Sequence, residues 1–152
     1  MTDWNLPWEG GCRCGQVRLK VTAPPIITLA CHCTGCQKMS ASAFSATALL
    51  PAEGLTVTGG EPVIGGLHGM HKQWYCPHCK SWLYTKVEGT PVVGLRATML
   101  DDPGWFSPFI ETMTSEKLSW ATTTALHRFE KGPTMDEFAN LTKLYSEHHV
   151  SR

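Results

Sequence analysis

Apolar and polar positions alternate with a period of two through much of this chain. In QVRLKVT, Val17, Leu19 and Val21 alternate with Gln16, Arg18 and Lys20, the pattern of a strand with one face buried. Further strands are predicted at residues 26–30, 44–50, 55–58, 72–75, 82–87 and 92–99. Glycine and proline separate these segments at short intervals: Pro24-Pro25, Gly59-Gly60, Gly65-Gly66, Gly89-Thr90-Pro91 and Asp102-Pro103-Gly104. Such punctuation suits short strands joined by turns. The period becomes firmly helical only near the C-terminus, where Thr134 and Glu137 form a capping-box pattern and Phe138, Leu141, Leu144 and Tyr145 share one face. That stripe reads as packing surface. A shorter helical turn is predicted after Cys33, through QKMSAS.

The expected fold class is therefore mainly β, with short antiparallel sheets and a C-terminal helix over about residues 134–148. A chain of 152 residues suits one domain, 1–152, and shows no repeat, low-complexity tract or linker that would divide it. Thirteen basic and thirteen acidic side chains cancel, and no basic stripe occurs, so nucleic acid and acidic membrane surfaces are not expected partners. The N-terminal MTDWNLPWEGG lacks a basic region followed by an apolar one, and no apolar run approaches the roughly 20 residues that span a bilayer. A cytoplasmic location is expected. The oligomeric state is not legible.

The seven cysteines change the picture most. They fall into Cys12-Arg-Cys14, Cys31-His-Cys33-Thr-Gly-Cys36 and Cys76-Pro-His-Cys79, with none left over. Disulfides would leave one thiol unpaired, and cysteines buried merely as small hydrophobes are seldom spaced this way. Zinc takes four ligands at tetrahedral corners, and cysteines a few residues apart on a turn aim two sulfurs at one ion. The simplest partition joins Cys12, Cys14, Cys76 and Cys79 into one closed, structural site and leaves Cys31, Cys33 and Cys36 to hold a second ion. Two zinc ions per chain follow. Gly11 and Gly15 beside the first doublet, and Gly35 inside the triplet, are expected where a backbone wraps a metal.

Three protein ligands leave one corner for water or substrate, which is the arrangement of catalytic zinc. Three thiolates also weaken the ion as a Lewis acid, so the site suits a further soft ligand, a small thiol, presented as the thiolate that attacks an electrophilic carbon. The stretches GGCRCGQVRLKV, CHCTGCQKMSASAF and WYCPHCKSWLY, in that order, resemble the three blocks of the glutathione-dependent formaldehyde-activating enzyme family, which includes the centromere protein V domain. The resemblance covers about residues 8–130. It implies a zinc-stabilised β-tent, a structural zinc on Cys12, Cys14, Cys76 and Cys79, and a catalytic zinc on Cys31, Cys33 and Cys36 to which the glutathione thiol binds. Ala41 and Lys80 stand where relatives often carry glycine, and neither change removes a ligand.

The expected activity is that of a carbon-sulfur lyase, joining a zinc-bound small thiol, glutathione or a relative, to formaldehyde or another small aldehyde. The alternative is a non-catalytic, zinc-stabilised binding module or thiol carrier. His32 lies between two ligands whose side chains diverge from its own, so it is expected near the site and not on the ion. Gln37 and Lys38 offer a hydrogen bond and a positive charge to a substrate carboxylate, against the plainer role of solvated side chains. One of His68, His71 and His78 could close the triplet from across the fold. The six tryptophans, with Trp74 and Trp82 bracketing the second doublet, are expected to pack the core and shield the cysteine turn.

Overall fold

Leu19 and Val21 are buried while Arg18 and Lys20 stay half exposed, as the alternation requires. The computed structural model describes residues 4–66 and 69–150. Its strands are β1 (Trp8–Gly11), β2 (Arg18–Val21), β3 (Ile27–Cys31), β4 (Ser45–Pro51), β5 (Leu55–Gly59), β6 (Val63–Gly65), β7 (His71–Tyr75), β8 (Trp82–Val87), β9 (Val92–Arg96), β10 (Ile110–Thr112) and β11 (His127–Arg128). The helices are α1 (Thr34–Ser40) and α2 (Met135–Val150), so the fold is mainly β with two helices. Among the described residues, no helix is long and apolar enough to cross a membrane.

Among the described residues the chain forms two compact units, one built from residues 26–48 and 106–150, the other from residues 4–25, 49–66 and 69–105. In the second unit β1, β2 and β5 make an antiparallel sheet, with Trp8 opposite Val21 and Leu19 opposite Val57. The same unit carries the antiparallel run β9-β8-β7-β6. Their inward faces meet in a core that includes Val17, Leu19, Leu50, Leu83, Leu95 and Cys76, each fully or almost fully buried. Each large aliphatic side chain there contributes about 2 kcal/mol by leaving water. A polar seam runs through β7 and β8: Trp82 donates to Gln73 at 3.0 Å, and the Arg96 guanidinium lies 4.0 Å above the Trp82 ring. Trp82 packs as expected, whereas Trp74 is only half-buried and stacks on Tyr84.

In the first unit the order is β11-β10-β3-β4, and β10 pairs in parallel with both β3 and β11. Beside the short antiparallel sheets expected, this unit therefore holds a mixed one. A parallel neighbour needs a long crossover, and the segment that returns beside β3 lies almost 80 residues further along, beyond the reach of any local pattern. Helix α2 opens on the expected capping box: the Thr134 N–H donates to Glu137 Oε2 at 2.7 Å and the Glu137 N–H donates to Thr134 Oγ1 at 3.2 Å. Its Leu141 and Tyr145 are buried, and the Tyr145 ring meets Phe109 edge-on at 5.4 Å.

Strands β1, β6, β10 and β11 are absent from the sequence expectation. Each has four residues or fewer, too short to establish a period, and β1 carries two glycines while β10 has a glutamate at its centre. The strand expected at 92–99 stops at Arg96, where the chain turns through one short helical turn at Ala97–Met99. The helical turn expected after Cys33 begins at Thr34, so Cys36 sits inside α1.

Candidate metal centres

Each cysteine cluster forms within one unit. In the second unit Cys12 and Cys14 occupy the turn from β1 to β2, and Cys76 and Cys79 the turn from β7 to β8. Gly15 takes φ +82°, a conformation that costs an L side chain about 1 kcal/mol or more, and a Cβ on Gly11 would lie 2.3 Å from the Val17 carbonyl. The turn folds back through Cys12 N–H to Val17 C=O at 3.0 Å, and the Val17 N–H in turn donates to Cys12 Sγ at 3.3 Å. All four sulfurs lie within 4.8 Å of one another. Cys12 Sγ is 3.5 Å from Cys14 Sγ, and Cys14 Sγ is 3.8 Å from Cys76 Sγ. Tetrahedral zinc with bonds of about 2.3 Å needs sulfurs about 3.8 Å apart, so these residues fit the ion.

In the first unit Cys31 ends β3, Cys33 is the N-cap of α1, and Cys36 lies in its first turn. Their sulfurs also lie within 4.8 Å of one another, and among the described residues no histidine or carboxylate completes that group. His68 lies outside the described residues. His71 and His78 belong to the second unit, both exposed. Gly35 is helical, and a Cβ there would meet Cys33 Sγ in ordinary contact at 3.8 Å, so the positive φ expected there is not found.

The two Cys-x-x-Cys turns share one geometry. Cys33 Sγ accepts from the Cys36 N–H at 3.3 Å and its carbonyl from the Gln37 N–H at 3.0 Å; Cys76 Sγ accepts from the Cys79 N–H at 3.5 Å and its carbonyl from the Lys80 N–H at 3.1 Å. Such N–H donors favour the thiolate, the form that ligates metal. The turns differ in their exit. After Cys36 the helix continues to Ser40 and ends on Ala41 at φ 50°, whereas after Cys79 the chain leaves at once through Lys80 at φ 61°. Ala41 and Lys80, the two residues that stand where glycine is usual, are thus both left-handed.

Within the triplet the Cys36 thiol, donating to Cys31, is the main cause that lowers the Cys31 thiol to about 5, and the same interaction pushes Cys36 up. Burial raises Cys33. In the other cluster the Ser81 hydroxyl, 3.2 Å away, lowers Cys79 to about 5. Each cluster therefore has at least one sulfur lowered toward the thiolate, Cys31 in the triplet and both Cys12 and Cys79 in the other, and an arriving cation displaces the remaining protons.

Behind the triplet lies an arrangement that sequence reading missed. His32 is fully buried, and its Nε2 lies 2.9 Å from Oε1 of Glu111, itself fully buried at the centre of β10. Lys117 Nζ is 3.3 Å from the same oxygen, and Arg128 Nε pairs with Oε2 at 2.8 Å. Burial opposes the charge on Glu111, but hydrogen bonds from His32, Thr123 and Lys117 outweigh it and hold the carboxyl below its ordinary value. Gln37, for which both a hydrogen bond to substrate and a plain solvated role were open, spends its amide on the carbonyls of His32 and Glu116, at 2.8 and 3.0 Å. Lys38 remains exposed. The one sequence signal for Glu111 is a carboxylate set between the strand formers Ile110 and Thr112; its partner lies 79 residues away.

Fold and sites together define a small β-rich protein with two separate cysteine clusters fit for metal ions, consistent with zinc. The family model described as "Glutathione-dependent formaldehyde-activating enzyme" matches residues 7–116, and the chain belongs to this family. No curated protein matches the chain. Among solved structures, it is similar to a Rhodobacter sphaeroides protein determined by crystallography for structural genomics, at 20% identity and a TM-score of 0.52 over 61% of this chain and 87% of that one. That likeness bears on the fold alone.

Proposed function

We propose that this protein joins a small thiol, glutathione or a relative, to formaldehyde or another small aldehyde at a zinc ion held by Cys31, Cys33 and Cys36, while Cys12, Cys14, Cys76 and Cys79 hold a structural zinc. The observation that carries the proposal is the division of the seven sulfurs into a group of four and a group of three, in separate units of a chain belonging to this family. Four thiolates satisfy a tetrahedral ion. Three leave one position for an exogenous ligand. When bound at the triplet, zinc supplies a lowered thiol pKa, so the substrate sulfur is presented as thiolate at neutral pH.

The chain's own contribution is to place and charge the three sulfurs. Cys33 Sγ is fixed by the Cys36 N–H, and Cys31 by the end of β3. In the reaction a sulfur-carbon bond forms, the carbonyl π bond breaks, and the oxygen takes one proton, for which water suffices; the product is a hydroxymethyl thioether or its homologue. The reverse is a carbon-sulfur lyase reaction.

X-ray absorption at the zinc edge, with and without glutathione, tests the assignment. The expected result is two zinc ions per chain and a rise in average sulfur coordination on adding glutathione, matched by accelerated hydroxymethyl-thioether formation in NMR exchange spectra. Zinc bound with no response to glutathione, cysteine or other small thiols overturns the proposal. Thiol uptake without acceleration would make the protein a thiol carrier.

A further inference from the structure

We propose that Glu111 is a positioning residue for the triplet's metal ion, its buried carboxylate acting through His32 to hold Cys31 and Cys33 in ligating orientation. The inference rests on metal binding at the triplet and is independent of the thiol and aldehyde chemistry. Successive side chains of extended backbone point to opposite faces. Cys31 ends a strand and Cys33 has extended dihedrals, φ −62° and ψ 150°, so His32 projects away from the two sulfurs that flank it. Fixing the ring therefore fixes the orientation of both neighbours. Its Nδ1 has no hydrogen-bond partner among the described residues, so the Nε2 contact to Glu111 is the ring's one polar tether there.

The rest of the same segment grips the rest of the loop. The His32 N–H donates to the Thr112 carbonyl at 3.0 Å, and Glu116 Oε1 accepts from both the N–H and the hydroxyl of Thr34 at 3.1 Å. β10 and the turn that follows thus contact the loop on either side of Cys33. A need for stability does not explain an ionised carboxylate in that place, since buried ion pairs can commonly be exchanged for apolar groups at little cost. Orientation does explain it. The carboxylate accepts from His32, and Lys117 and Arg128 offset its charge beside sulfurs that must themselves be anionic. Groups that hold metal-site residues from behind typically change metal affinity by about 10–100-fold when removed.

Glu111→Leu and His32→Phe cut the tether from its two ends, and Glu111→Gln keeps an acceptor for His32. Each variant is purified with zinc, and ion release to a chromophoric chelator is followed at 25 °C; cobalt substitution supplies the sulfur-to-metal charge-transfer and ligand-field bands. In both tether variants the triplet's ion should leave about 10-fold faster or more, with shifted cobalt bands, while release from the four-sulfur cluster stays at the wild-type rate. Glu111→Gln should restore most of the difference. Release rates and cobalt spectra equal to wild type overturn the proposal. Failure of both tether variants to fold with zinc present also overturns it, because the pair would then be scaffold. If wild type itself binds one ion per chain, metal binding at the triplet is what fails, and the four-sulfur cluster remains to identify the ion.

Discussion

Replacing Cys76 with serine should harm folding more than replacing Cys33, and the difference can be estimated from chain connectivity. The closed cluster ties Cys14 to Cys76, 62 residues apart in sequence, whereas Cys31 and Cys36 are five residues apart. The entropy of closing a loop grows as three-halves of RT times the logarithm of its length, so losing the long tie costs about 2 kcal/mol more than losing the short one. Cys76 is also fully buried, and a serine hydroxyl left there without metal costs about 1–3 kcal/mol more. A structural zinc supplies about 10 kcal/mol or more of apparent binding energy, comparable to the whole stability of a domain, so these figures set a floor. The assay is thermal unfolding of the zinc-loaded variants under reducing conditions, with zinc counted by elemental analysis. Cys76→Ser should melt about 4–8 °C or more below Cys33→Ser, and Cys33→Ser should keep one zinc per chain and a native-like fold. Equal midpoints, or a Cys76→Ser protein that still holds two ions, would refute the assignment of the two clusters.

Ala41 and Lys80 both hold left-handed backbone, so Ala41→Gly and Lys80→Gly should each stabilise the protein by up to about 1 kcal/mol, read as a raised melting midpoint; a lowered midpoint for Ala41→Gly would contradict the strain. Acidification should strip the triplet before the four-sulfur cluster, because protons compete with metal for every sulfur and the triplet offers fewer ligands, with Cys33 and Cys36 both raised. Zinc release followed by chromophore during a pH titration should show two steps, the first removed by Cys33→Ser. A single step, or the reverse order, would count against it.

Sequence and structure agree where the signal is local. The alternation at Val17, Leu19 and Val21, the Thr134–Glu137 capping box and the Cys-x-x-Cys turns are all set by residues within a few positions of one another, and each is found. The grouping of cysteines was legible for a different reason: sulfurs must be satisfied in sets of metal-ligand size, so counting them substitutes for knowing where they lie. What stayed hidden depends on a return of the chain. β10 is three residues long, pairs with β3 in parallel, and supplies Glu111 to His32 from 79 residues away. A lone glutamate between β-formers carries no mark of its partner. The partners of Gln37 were hidden for the same reason, because the Glu116 carbonyl it binds arrives with that returning segment.

Ser45 offers a way to convert one kind of centre into the other. It begins β4, is 2% exposed, makes no hydrogen bond through its hydroxyl among the described residues, and tends to lower the Cys36 thiol that Cys31 pushes up. A serine oxygen is a poor partner for zinc beside three thiolates, but sulfur at the same branch point is a good one. Ser45→Cys changes one atom and adds little volume, so the fold should tolerate it, and the triplet would gain a fourth thiol without any movement of the chain from another unit. A closed four-sulfur site holds metal more tightly and has no position for an added thiol. The variant should release its second zinc to chelator more slowly than wild type, and its zinc-edge spectrum should no longer change when glutathione is added. Thiol-aldehyde activity should fall with it while the melting midpoint rises or holds. If Ser45→Cys binds glutathione as wild type does and stays active, the open corner of the triplet is not where the thiol binds.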